Sequence, residues 1–145
     1  MRAYEYLYRL KDLDKEIKRS LEKEAVLWSA ATSATQALNG MPHAPGVCDK
    51  IGKAITRISE QKERTNALTD RYVDAKRDIL AHLERLSPKQ SAVLRWMFVE
   101  KRKDGSYYTW AEIAAILECS EQNIDKTRKR AIKSLQKLLD AENGA

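Results

Sequence analysis

From Tyr6 onward the apolar residues Leu10, Leu13, Ile17, Leu21, Leu27, Ala31, Ala34 and Leu38 recur mostly at steps of three and four, with charged residues between them. That period is the buried stripe of an amphipathic helix. The stripe thins at Ser20 and Glu24. Asn39-Gly40-Met41-Pro42-His43-Ala44-Pro45-Gly46 then interrupts it, because proline removes a donor and disfavours helix before it, and glycine admits positive φ. A second series follows: Ile51, Ile55, Ile58, Thr65, Leu68, Tyr72, Val73, Ile79 and Leu83, nearly heptad in period. Two long helices joined by a loop at about 39–50 form an antiparallel hairpin over residues 1–85.

Each arm is roughly 50 Å long at ~1.5 Å rise per residue, and a lone hairpin of that shape buries little core for its surface. It therefore packs either on the C-terminal unit or on a second copy of itself, a homodimer. Periodicity does not distinguish packing within one chain from packing between two.

The pattern changes at Leu86. Ser87 can cap and Pro88 fits the first helical position, after which Val93, Leu94, Met97 and Phe98 share a face, predicting a helix to about Val99. Trp96 lies off that face, either packed on the hairpin or anchoring a partner. The polar run 100–108, with Asp104-Gly105 at its centre, reads as a loop whose basic cluster either is solvated or touches phosphate. Thr109-Trp110-Ala111-Glu112 is a capping box, and Trp110, Ile113, Ala114 and Leu117 fall on one face of a short helix. After Glu118 and Cys119, Ser120 caps a longer helix over 120–139 with Ile124, Ala131, Leu135 and Leu138 on one side. A short capped helix, a tight turn and a longer capped helix make a helix-turn-helix. The predicted fold is all-α: a hairpin over 1–85 and a three-helix unit over 86–145.

Composition agrees with this. Five glycines and three prolines in 145 residues leave a helix-forming chain, and 27 Lys+Arg against 21 Asp+Glu give a net charge of +6, which favours a polyanionic partner. No apolar stretch approaches the ~18 residues of a membrane span and no leader pattern opens the chain, so a cytoplasmic protein is expected. Cys48 and Cys119 are widely separated and lack ligand spacing, so neither a disulfide nor a zinc site is expected. His43 lies in the loop and His82 stands alone on a helix. With no Gly-rich phosphate loop and no clustered carboxylates, neither catalysis nor a cofactor is expected.

Leu86-Ser87-Pro88 with Val93-Leu94, then Glu112-Ile113-Ala114, Leu117, Ser120, Ile124, Arg130-Ala131 and Leu135, resembles region 4 of bacterial sigma factors. With its hairpin the chain is similar to small sigma-like regulators of phages and prophages, near the ArpU and RinA late-gene activators. The resemblance implies a sequence-specific regulator bound to double-stranded DNA and docked on RNA polymerase. Two departures stand out. Glu118-Cys119 occupies a turn that is usually Gly followed by an aliphatic residue, and the 100–108 connection is longer than usual.

In such a unit the second helix of the motif enters the major groove and presents its N-terminal residues to base edges. With Ile124 toward the core, Gln122, Lys126, Lys129 and Lys133 project within roughly 40° of the opposite side at ~100° per residue. Asn123 and Arg130 lie on one flank and Asp125 on the other, whereas Arg128 sits near the buried direction and is not expected to meet bases. Gln122, Asn123 and Lys126 are the expected readers, with Lys129, Arg130 and Lys133 on phosphates. Glu121 and Asp125 would repel DNA unless a lysine neutralises them. Two other readings fit the pattern: a phage DNA-packaging protein of the small-terminase kind, and a helical interaction module whose helix-turn-helix is degenerate.

Overall fold

The structure is a computed structural model that describes residues 2–38 and 47–144, with side chains except at 34–38 and 47–49. Five helices appear among them: α1 (Ala3–Leu38), α2 (Val47–Leu83), α3 (Pro88–Phe98), α4 (Trp110–Ile116) and α5 (Glu121–Asn143). The all-α expectation holds. The expected loop at 39–50 is shorter at its far end, since residues 47–50 are already helical. Residues 39–46, with His43, and the side chains of Ala34, Leu38 and Cys48 fall outside the described set. No helix among the described residues is long and apolar enough to cross a membrane.

The chain divides into two compact units, and the division does not fall at Leu86. One unit comprises Met1–Asp12 with Tyr72–Ala145, and the other comprises Leu13–Arg71. In the first, α3 and α4 pack on α5 and on each other. Its core joins Leu7 and Leu10 of α1 and Ile79 and Leu83 of α2 with Val93, Leu94, Ile113, Ile124, Ala131 and Leu135, all essentially inaccessible to solvent. A fully buried Leu or Ile contributes about 1.5–3 kcal/mol, so this set dominates the unit's stability. The first turn of α1 is fixed by polar contact as well. The Ala3 N–H, which has no partner within its own helix, donates to Gln136 Oε1 of α5 at 2.7 Å.

His82 is not alone, contrary to expectation. Its Nε2 donates to the Glu142 carboxylate at 2.9 Å, and its Nδ1 lies 2.7 Å from the Tyr6 hydroxyl and 2.9 Å from the Asp78 carbonyl oxygen. The Tyr6 hydroxyl also donates to Asp78 Oδ2 at 3.0 Å, and Arg85 donates to Glu142 at 3.2 Å. Burial and then the Asp78 carboxylate push the Tyr6 phenol above its usual range. Burial opposes the charged form of His82, yet the hydrogen bonds to Glu142 and to the Asp78 carbonyl outweigh it and raise its pKa from the ordinary 6.5.

The second unit has another character. Among its described residues Leu13 and Ile58 are the buried apolar side chains, beside the buried polar Asp14, Ser20, Gln61 and Thr65. The helices here run antiparallel: Ser20 meets Gln61 and Thr65, whereas Ala30 and Ala31 line a cavity together with Ile51 and Ala54. Ser20, Gln61 and Thr65 form a closed circuit. The Gln61 amide donates to Ser20 Oγ at 2.7 Å, Ser20 Oγ lies 2.6 Å from Thr65 Oγ1, and Thr65 Oγ1 donates to the Gln61 carbonyl at 3.0 Å. Because the one Thr65 hydroxyl proton goes to that carbonyl, Ser20 must donate to Thr65. Leu21, Val26 and Ile55 are at least half exposed. Leu21 and Ile55 therefore leave the seams in which the periodicity placed them.

Candidate nucleic-acid interface

Three serine and threonine caps build the C-terminal helices. The Ser87 hydroxyl accepts from the Gln90 N–H, Thr109 from the Glu112 N–H and Ser120 from the Asn123 N–H, each satisfying an amide the helix itself leaves unpaired. In the box at Thr109 the Glu112 carboxylate accepts the Thr109 hydroxyl at 3.0 Å and pairs with Arg102. Its expected return to the Thr109 backbone N–H is replaced by these contacts.

The turn between α4 and α5 closes at Glu118, whose φ of 54° is the positive value a glycine would take. The Cys119 N–H donates to the Ala114 carbonyl and the Glu118 N–H to the Ala115 carbonyl, the paired arrangement of a Schellman C-cap. A side chain in the left-handed region costs roughly 1–2 kcal/mol. The motif therefore keeps its geometry without the usual glycine, at a cost in stability.

On α5, Ile124, Ala131 and Leu135 are buried as expected. Leu139 takes the fully buried place assigned to Leu138, which is half-buried. Gln122, Asn123, Lys126, Lys129, Arg130 and Lys133 are all exposed. From Gln122 to Lys133 the helix advances roughly 16 Å at ~1.5 Å per residue, about five base pairs at ~3.4 Å each. Asp125 is not an open negative charge on this face, for it accepts from Arg128 at 2.9 Å and from Lys129 at 3.2 Å. Lys129, with 65% of its side chain exposed, sits in a surface pair worth about 0–1 kcal/mol, which a phosphate can displace.

Residues 82–137 match sigma-70, region 4. That match supports DNA binding of the transcription-regulator kind and falls on α3 to α5 with the last residues of α2. No curated protein and no solved structure matches the chain.

Around this region-4-like unit the structure adds contacts that no local pattern announced. Arg128, set aside as a base contact, lies over the rings of Tyr4 and Trp110 at 5.8 and 5.3 Å while it holds Asp125. Trp110 is 42% exposed, off the buried face where it was expected, and Leu117 is half-buried. Trp96 packs edge-on against Tyr108 at 5.1 Å, so it meets the connection itself. That connection is a small hairpin: Lys101 bridges Tyr107, the Arg102 N–H donates to the Ser106 carbonyl, and Gly105 turns with φ 87°. Asp104 accepts from the Ser106 N–H and hydroxyl, which hold its carboxyl below the usual range. Of the basic cluster, Lys101 lies over Tyr72 and Tyr107, and Arg102 lies over Tyr108 and pairs with Glu112. Lys103 is exposed at the tip.

Proposed function

We propose that the protein is a sequence-specific transcriptional regulator of the phage sigma-like type that reads the major groove with α5. Gln122, Asn123 and Lys126 face the base edges, and Lys129, Arg130 and Lys133 hold phosphates. The observation that carries this reading is the row of six exposed polar and basic side chains, Gln122 to Lys133, on the part of α5 that lies within the region-4 match. The neutralisation of Asp125 by Arg128 and Lys129 favours it over a degenerate module. The role is binding in the cytoplasm, without catalysis, on DNA to which RNA polymerase is also docked. A second copy bound through the hairpin would raise affinity by coupling two half-sites.

Selection of bound sites from a randomised duplex pool at near-physiological salt tests it, with Gln122→Ala/Lys126→Ala run in parallel. The wild type enriches one motif and the double variant loses it, since each bidentate base contact is worth about 1–3 kcal/mol of discrimination. Enrichment of the same motif by both proteins would remove α5 from the role of reader. If polymerase docking supplies the affinity, adding polymerase sharpens the motif for the wild type alone.

A further inference from the structure

The seam of the second unit loosens along its length. Ser20, Gln61 and Thr65 close it at one level and Ile58 is buried, but Leu27, Ala31, Ile51 and Ala54, farther along the same seam, are only half-buried. Between them lies a cavity of about 380 Å³, which these four line together with Ile58. That volume falls within the roughly 300–1,000 Å³ of binding pockets. Ile55, at the rim, is 58% exposed. Trp28 stands there too, with Lys62 over its ring at 5.2 Å, so the open apolar surface is mainly aliphatic.

The charge around this cavity has one sign. No residue from Ala25 to Leu38 is charged, and between Lys50 and Ser59 the charged residues are Lys50, Lys53 and Arg57. Lys50 and Arg57 line the cavity, and neither meets a carboxylate among the described residues. Asp49 precedes them, its side chain outside the described set. Lys50 lies in the first turn of α2, where the helix dipole already favours an anion. Seven residues apart, Lys50 and Arg57 share one side of the helix, roughly 10 Å from each other along its axis at ~1.5 Å per residue.

We propose that this cavity is a docking site for an acidic amphipathic helix of a protein partner, whose apolar residues enter between α1 and α2 and whose carboxylates meet Lys50 and Arg57. Helix-in-groove recognition uses apolar anchors at i, i+3, i+4 and i+7, and such a set spans the same roughly 10 Å as the two cations. A second copy of the chain fits this face less well. A two-fold contact sets a surface against its own image, which would bring Lys50, Lys53 and Arg57 against the same three cations. Nucleic acid would satisfy the cations and leave the aliphatic wall uncovered. The cavity lies wholly within Leu13–Arg71 and outside the region-4 match, so the site does not depend on DNA reading by α5.

A displayed library of helices about five turns long (~18 residues) tests this on the full chain without DNA. Its apolar anchors repeat at i, i+3, i+4 and i+7, and its flanking positions vary among Glu, Lys and Ser. The enriched helices should carry Glu on their flanks, and a labelled synthetic peptide of the winning sequence should bind saturably by fluorescence anisotropy. Lys50→Glu/Arg57→Glu should weaken that peptide at least about tenfold, about 1.4 kcal/mol, and should accept its Lys-flanked counterpart instead. Ile55→Asp should weaken it as well. Arg64→Glu/Arg71→Glu, the same charge change on the same helix outside the cavity, should leave it within about twofold; circular dichroism verifies that each variant is folded. Absence of any enriched helix, enrichment of Lys or Ser flanks, or an equal loss in the Arg64/Arg71 variant would each overturn the proposal. So would a dimer of the chain, seen by sedimentation, that Ile55→Asp dissociates, because the face would then belong to a second copy.

Discussion

The two compact units are built from similar helical sequence, yet they bury different chemistry. The first closes an apolar core around Leu94, Ile113, Ile124 and Leu135. The second, Leu13–Arg71, places Ser20, Gln61 and Thr65 at its interior positions and leaves Leu21, Val26 and Ile55 at least half exposed. The difference follows from what each helix must contact. A helix enclosed by several neighbours rewards a wide apolar face, whereas a helix with one partner buries only a narrow seam. A polar group in such a seam costs little stability when each of its hydrogen bonds is made, and it can fix the register of the pair. The first unit is thus built for strength, and the second for alignment.

Cavity-forming substitutions test that contrast most strongly. Leu135→Ala removes a fully buried side chain from the first unit and should cost about 3 kcal/mol. Leu21→Ala in the second unit removes a half-exposed one and should cost less than about 0.5 kcal/mol. Urea unfolding followed by circular dichroism measures both. Equal losses would mean that the second unit's exposed apolar residues are covered in solution, and the contrast would not stand.

The next effect belongs to the polar circuit. Ser20→Ala leaves the Gln61 amide without its 2.7 Å acceptor and Thr65 without its donor, and should cost about 1–3 kcal/mol. The triple change Ser20→Ala/Gln61→Leu/Thr65→Val should recover that loss or exceed it, because no orphan then remains. Sedimentation of the triple variant then asks whether the circuit specifies pairing: a mixture of association states supports register control, and a single unchanged state removes that role.

How much of this was legible follows the same division between local and distant causes. Ser87, Thr109 and Ser120 announced three helix starts, because a cap and the amide it satisfies lie within three residues of each other. The exposed row on α5 was legible too, since one buried residue fixes the orientation of a regular helix. The seam of α2 was harder to read. Leaving aside Leu80 and Leu83 at its end, its buried and half-buried side chains are Ile51, Ala54, Ile58, Gln61, Thr65, Leu68, Tyr72, Ala75, Ile79 and His82, an alternation of threes and fours that includes glutamine, histidine and two small alanines. A search for large apolar residues chose Ile55 and Val73 instead, both of which are exposed. The Tyr4–Arg128–Trp110 cluster and the pairing of Ala3 with Gln136 were not legible. No periodicity links positions so far apart, so the joining of the first turns of α1 to the region-4-like helices emerged only from the fold.

The smallest effect expected is that of pH on the first unit, and it sharpens the contrast from the other side. His82 is buried in that unit, between Tyr6 and Glu142. Its pKa is raised, but as the remainder of opposing influences: burial resists the charge while Glu142 and the Asp78 carbonyl favour it. A histidine whose folded pKa exceeds its unfolded value binds protons more tightly when folded. Its stabilisation is therefore complete below about pH 6.5 and is lost as pH rises through the folded value. The melting temperature of the chain should fall modestly as pH rises from about 6 to about 8, and His82→Gln should flatten that slope. Hydrogen exchange locates the effect: opening of amides near α5 should become easier at the higher pH, with those around Ser20 and Thr65 showing no matching change in protection once corrected for intrinsic rates. A slope of the opposite sign, or one that His82→Gln leaves intact, would mean that the Glu142 pairing does not prevail over burial.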